Sequence, residues 1–232
     1  MTLIKGDMRP SGSLGIEVFR HPLNSPLLAE PTLQEIVHHG GPQKRLPDEV
    51  NAWRKRNLRK LLRDAQKPLL ARKLHIPHFY GALWLKLIRA DGDILDLGLA
   101  SLKVVTDTGV QNIVDQFQGL GTALSNFKFH GLGTGTTAEA ASQTALVTEL
   151  TTQYQTDNTR PTGSQTENGA NVYRTVGTVT VDAAVAATEH GLFSQAATGG
   201  GIMLDRSLFT VVNLASGDSL QGTYDLTINS GG

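Results

Sequence analysis

The sequence predicts a mainly β protein: an antiparallel, jelly-roll-like β-sandwich preceded by an extended N-terminal arm and one basic amphipathic helix. Three observations predict it. Between Asn171 and Ile228, four segments read as strands, the first and last alternating with period two, separated by glycine-bearing or small-residue turns. From Lys44 to Lys73, eleven basic side chains stand against three acidic ones, a net +8. From Leu74 onward, seven basic stand against fourteen acidic, a net −7. The expected organisation is a docking arm over 1–46, a basic helix over 47–76 and a β-sandwich domain over 77–232. A basic segment before an acidic body implies that the two ends face different surroundings, or that one copy's basic segment meets another's body.

The arm carries Pro10, Pro22, Pro26, Pro31 and Pro42, which preclude long helix. It also carries Ile16, Val18, Phe19, Leu23, Leu27 and Leu28 with few charges, unlike a solvated linker. We read it as ordering on another surface, with Phe19, Leu27 and Leu28 as contacts. Thr32 to His38 fits a short helix between Pro31 and Gly40-Gly41. No apolar run resembles a signal peptide or approaches the ~20 residues of a membrane span. A soluble chain without an export signal is expected, and the absence of cysteine fits a reducing compartment and removes thiolate chemistry.

Residues 47–67 predict a helix with Asp48 and Glu49 in its first turn. Val50, Trp53, Leu58, Leu61, Leu62 and Ala65 form its apolar face. Arg54, Lys55, Arg56, Arg59, Lys60 and Arg63 cover the rest, and Pro68 ends or kinks it. Trp53 and these six cations are the candidate partner-binding residues, besides the plain alternative of a solvated helix on its own domain. An acidic protein surface, including another copy of the chain, is the favoured partner. Nucleic acid is the weaker one, since no helix-turn-helix partner and no stacking aromatic beyond Trp53 accompany the segment. The narrow apolar face argues against a membrane.

Phe79–Ala90 and Ile94–Thr106 read as strands about an Asp91-Gly92-Asp93 turn. A helix over Val110–Gln118 is expected to bury Ile113, Val114 and Phe117. A strand over Asn126–Leu132 leads into the glycine-rich Gly131–Thr137, which lacks the lysine of a phosphate loop and reads as a strand exit. Thr144–Leu150 reads as a short strand or edge, and polar residues 153–170 as a surface or contact loop. The last strands are Val172–Val181, Ala186–Ser194, Ile202–Val212 and Ser219–Ile228.

His130, Glu189 and His190 are the residues with most chemical potential. No nucleophile elbow, His-Glu-x-x-His or paired carboxylates accompany them, so they read as strand histidines bonding across the sheet. Asp205 and Arg206 point to opposite faces of their strand. Arg206 is therefore expected to pair with a carboxylate from a neighbouring strand or at an interface, and it joins the candidate partner-binding residues. No enzyme activity, catalytic residue, cofactor or metal is predicted.

The runs Phe127-Lys-Phe-His-Gly-Leu-Gly-Thr-Gly-Thr-Thr-Ala-Glu-Ala and Thr144-Ala-Leu-Val-Thr-Glu resemble tailed-bacteriophage structural proteins. So do Tyr173-Arg-Thr-Val, Thr188-Glu-His-Gly-Leu-Phe, Leu204-Asp-Arg-Ser-Leu-Phe and Ser216-Gly-Asp-Ser-Leu-Gln. The resemblance covers about residues 100–232 and implies a small β-sandwich particle component without catalytic residues. The expected role is capsid decoration or cementing, with the major capsid protein, other virion proteins and copies of itself as partners. The protein would be made in the host cytoplasm and reside in the virion. A neck, tail or fibre-attachment component is the alternative. A carbohydrate-binding fibre module is disfavoured by the few aromatics of the β region, and a nucleic-acid-binding protein would use residues 44–73.

Overall fold

The computed structural model describes residues 32–103, 105–169 and 171–230. Phe19, Leu27 and Leu28 lie outside them, as does most of the expected arm.

The described chain opens on α1 (Leu33–Gly40). The Thr32 hydroxyl accepts from the Glu35 amide, and the Glu35 carboxylate accepts from the Thr32 amide, a capping box. Ile36 is fully buried. The last third of the expected arm is thus a packed helix and its connection, because Ile36 has an apolar seat on the body. The basic helix follows as α2 (Asp48–Asp64), then α3 (Gln66–Lys73), which meet at Ala65. Pro68 has no N–H to donate to the Asp64 carbonyl, so the break falls before the proline and a new helix starts around it.

The β-strands are β1 (His78–Ile88), β2 (Ile94–Lys103), β3 (Phe129–Gly133), β4 (Ser164–Glu167), β5 (Val172–Thr180), β6 (Val185–Phe193), β7 (Met203–Leu214) and β8 (Ser219–Asn229). They form two antiparallel sheets, of order β2-β1-β8-β5-β4 and β3-β6-β7. Gly92, with φ 93°, closes the β1–β2 turn. The four final strands do not form one meander. β5 pairs directly with β8, and the β6–β7 hairpin between them in sequence joins the other sheet.

One apolar cluster draws on both sheets: Leu83, Leu85, Val179 and Leu220 from one, Leu132, Ala187, Phe209 and Val212 from the other. A second cluster joins Tyr80, Ala82, Leu99 and Leu102 to Ile36, Leu61 and Ala65, so the helices cover β1 and β2. At about 25 cal/mol per Å² of apolar surface, these clusters are the main stabilising term.

Three local expectations change. Thr144–Leu150 makes no strand, only an isolated bridge from Glu149 to Gly133. The polar loop contains β4, and buries Tyr154 and Arg160. The helix α4 (Asp107–Gln116) leaves Val114 47 % and Phe117 87 % exposed, and buries Gly109 and Asn112 instead. Its rotation is set by polar anchors. Thr106 Oγ1 accepts from the Gly109 amide and donates to the Met203 carbonyl, and Asn112 bonds both the amide and carbonyl of Thr122. Gly109 also packs directly on the Leu204 backbone, where a Cβ would collide.

Candidate functional site

The predicted site residues of α2 divide into an inner and an outer set. The inner set closes the seam between the edge strands β2 and β7. Trp53 Nε1 donates to the Thr210 carbonyl at 2.8 Å. Asn57 Nδ2 donates to the Ala100 carbonyl at 2.8 Å, while its Oδ1 accepts from the Thr210 amide at 3.0 Å. Arg54 donates to the carbonyls of Gly41 and Asp96 at 3.3 and 3.2 Å. Edge strands present unpaired backbone groups, and α2 satisfies them while covering them. Gly98 makes room: it sits at φ 70° with the Arg54 guanidinium where a Cβ would be. Burial lowers the Arg54 pKa, and the nearby Asp96 carboxylate opposes that shift.

Trp53 and Arg54 are therefore structural clamps and not contacts for a partner, because both are buried against strand backbone. Lys60 is also committed: its Nζ lies 2.6 Å from Asp64 and 3.1 Å from Glu139, tying α2 to the loop after β3. The outer set is Lys55, Arg56, Arg59 and Arg63. All four are exposed along one side of α2. Lys55, Arg56 and Arg59 make no ion pair among the described residues, and Arg63, 72 % exposed, only approaches Asp64 at 3.9 Å. This ridge is the candidate interaction surface.

Behind it lies a buried polar network. Glu189 on β6 and Arg206 on β7 pair at 2.7 Å, the neighbouring-strand pairing expected of Arg206, and both are fully buried, so Arg206 is an internal clamp and not a partner contact. Arg206 also donates to the Thr137 carbonyl and Gln143 Oε1. The Glu189 carboxylate accepts from the amides of Gly135, Val147 and Thr148 at 3.0, 3.1 and 2.8 Å. The glycine-rich loop, through Gly135, and the segment at Val147 and Thr148 together cradle an anion, but an internal one. A Cβ at Gly133 or Gly135 would sit 2.5 Å from Glu189 Oε1.

His190 faces the opposite side from Glu189. Its Nε2 meets His130 Nδ1 at 3.0 Å, and His130 Nε2 meets Thr175 Oγ1 at 3.1 Å, the cross-sheet bonding the sequence predicts. Gly163 and Gly177 leave space for the His130 ring. Burial lowers the His130 pKa to about 3; burial and His130 hold that of His190 well below the ordinary value. Both imidazoles are neutral. Both rings are fully buried among the described residues, inside the two sheets.

Arg160 was not singled out by sequence, since its loop is polar throughout. It pairs with Glu149 at 2.8 Å, donates to the carbonyls of Gln195 and Gly200, and lies 3.5 Å over the Phe193 ring. The signal that could have found it is the lone cation in a long polar stretch, beside an acidic body. No group of His, Cys, Asp and Glu among the described residues could hold a metal ion. No helix among them is long and apolar enough to cross a membrane. No protein-family model, curated protein or solved structure matches the chain.

Proposed function

We propose that the chain is a structural component of a tailed-phage particle, a jelly-roll-like β-sandwich that decorates or cements the capsid. The resemblance over residues 100–232 motivates the particle. The observation that carries the mode of attachment is the outward ridge of Lys55, Arg56, Arg59 and Arg63 on a helix clamped by Trp53 and Asn57. A rigid row of cations suits an acidic surface on a shell protein or neighbouring copy, and the arm adds apolar contacts. The shared apolar core and the return of β8 beside β5 support the sandwich.

The test is co-sedimentation with phage particles of the full chain and of a Lys55→Glu/Arg59→Glu/Arg63→Glu variant. Loss of particle binding with an unchanged melting temperature is expected. A variant that still binds at wild-type occupancy sinks the ridge as the attachment surface. Copy number by quantitative mass spectrometry separates a shell role from the neck, tail or fibre-attachment reading. Steeply salt-dependent DNA retention would favour nucleic acid.

A further inference from the structure

An apolar cavity of about 880 Å³ opens between α4, the turn at 124–127, β4 and the ends of β5 and β8. Ile113, Phe127, Tyr173, Leu204, Leu226 and Ile228 line it, and Glu167 is the one charged side chain among its described lining residues. The volume falls within the range of ligand pockets, about 300–1,000 Å³. Yet its polar groups do not converge to orient a small molecule. The Tyr173 hydroxyl is already committed, donating to the Phe127 carbonyl and accepting from Gln165. α4 contributes Ile113 to the lining, and at and just beyond its C-terminal end Val114, Phe117 and Leu120 are 47, 87 and 58 % exposed. Apolar surface of this extent marks a docking site.

The chain supplies a matching occupant. Residues 14–28 contain Leu14, Ile16, Val18, Phe19, Leu23, Leu27 and Leu28 against only Glu17 and Arg20. Pro22 and Pro26 disfavour a helix there, which suits a segment laid along a trough. The tether is short. The described chain begins at Thr32, and Ile36 shares an apolar cluster with Tyr80 of β1. Phe79, next to Tyr80, pairs with Ile228 of the cavity. Adjacent strands lie about 4.8 Å apart. Eighteen residues span up to ~60 Å, so the leading part of residues 14–28 has the length to reach the cavity from its own Thr32. A segment tethered this closely acts at roughly millimolar effective concentration, ahead of one from another copy.

We propose that residues 14–28 seat in this cavity and along the exposed apolar end of α4 in their own molecule. The segment that would dock on a particle is then stowed on its own body beforehand, covering two apolar surfaces at once. The inference does not rest on the particle reading. It concerns the free protein and holds or fails without any partner.

The absence of cysteine makes the test clean. Nitroxides are attached to the full chain at Ser25→Cys and Thr166→Cys, the latter exposed at the cavity's rim, and their separation is measured by pulsed electron paramagnetic resonance. One narrow short-distance population is expected, unchanged on dilution with unlabelled chain. Adding Leu124→Glu and Ile228→Glu, both about half exposed, should abolish that population and leave the circular dichroism melt in place. A broad distribution in the parent overturns the proposal. So does a population that survives both charges. Loss on dilution also overturns it, by assigning the seat to a neighbouring copy.

Discussion

The helices α2 and α4 both pack against the edge strand β7, and they do so in opposite ways. α2 turns Trp53, Arg54 and Asn57 inward and bonds each to backbone groups. α4 is held by Thr106, Gly109 and Asn112, and leaves its valines and Phe117 outside. In α4 the rotation about the helix axis follows the hydrogen bonds and not the apolar count, whereas in α2 the buried Val50, Trp53 and Leu61 lie on the same side as the bonding groups. A buried backbone group without a partner costs about 1–3 kcal/mol. That equals the roughly 1.5–3 kcal/mol gained by burying one large apolar side chain. One well-placed Asn can therefore outweigh an exposed Val. The difference has a functional side: α2 presents cations to solvent from a fixed frame, whereas α4 presents an apolar surface that asks for a cover.

The strongest way to break this comparison is at the polar network that the α2 side depends on. The loop held by Glu189 and Arg206 carries Glu139, the partner of Lys60. Arg206→Ala leaves a buried carboxylate without its cation and should destabilise by about 3–5 kcal/mol in urea unfolding. A loss below ~1 kcal/mol would mean the pair contributes little. Next, Asn57→Ala removes a donor to Ala100 and an acceptor from Thr210. About 2–4 kcal/mol of destabilisation is expected, with the m-value unchanged.

Acid probes the region beneath the sheets. His130 is held neutral with its pKa lowered to about 3. Below its ordinary value of about 6.5 the unfolded chain takes up a proton that the folded chain excludes. The contribution is complete above pH 6.5 and is lost as pH falls toward 3, reaching about 2 kcal/mol from His130 alone at pH 5. Melts at pH 5 and pH 8 should differ accordingly, and His130→Gln should narrow the gap. The smallest effect belongs to α4. Phe117 is 87 % exposed on the described body and has only the tethered segment to cover it, so Phe117→Ser should cost no more than about 1 kcal/mol. A loss of several kcal/mol would show that the ring is built into the core.

Much of the architecture was legible in advance. Strict alternation placed β1, β5 and β8 within two residues of their bounds, and Asp91-Gly92-Asp93 marked its turn. The opposed directions of Asp205 and Arg206 pointed to a partner on the next strand, and Glu189 is that partner. Arg54 and Lys60 misled, since a cation on a helix looks solvated until a carbonyl or carboxylate is brought beside it. Arg160 and the Glu189 cradle were invisible for a related reason. Their partners lie 11 to 54 residues away in the chain, in segments whose composition is that of ordinary loops.

By itself, the sequence determined most of the extended and helical segments, though not β4 or the irregular course of Thr144–Leu150, because periodicity and turn chemistry act over a few residues. It also determined that a cationic stretch precedes an acidic β body. Only the tertiary structure decided that β8 returns to β5 past the β6–β7 hairpin, which cations became clamps and which stayed on the ridge, and which side of α4 faces water. Those outcomes depend on satisfying backbone groups at strand edges, and a strand has an edge only once its neighbours are in place.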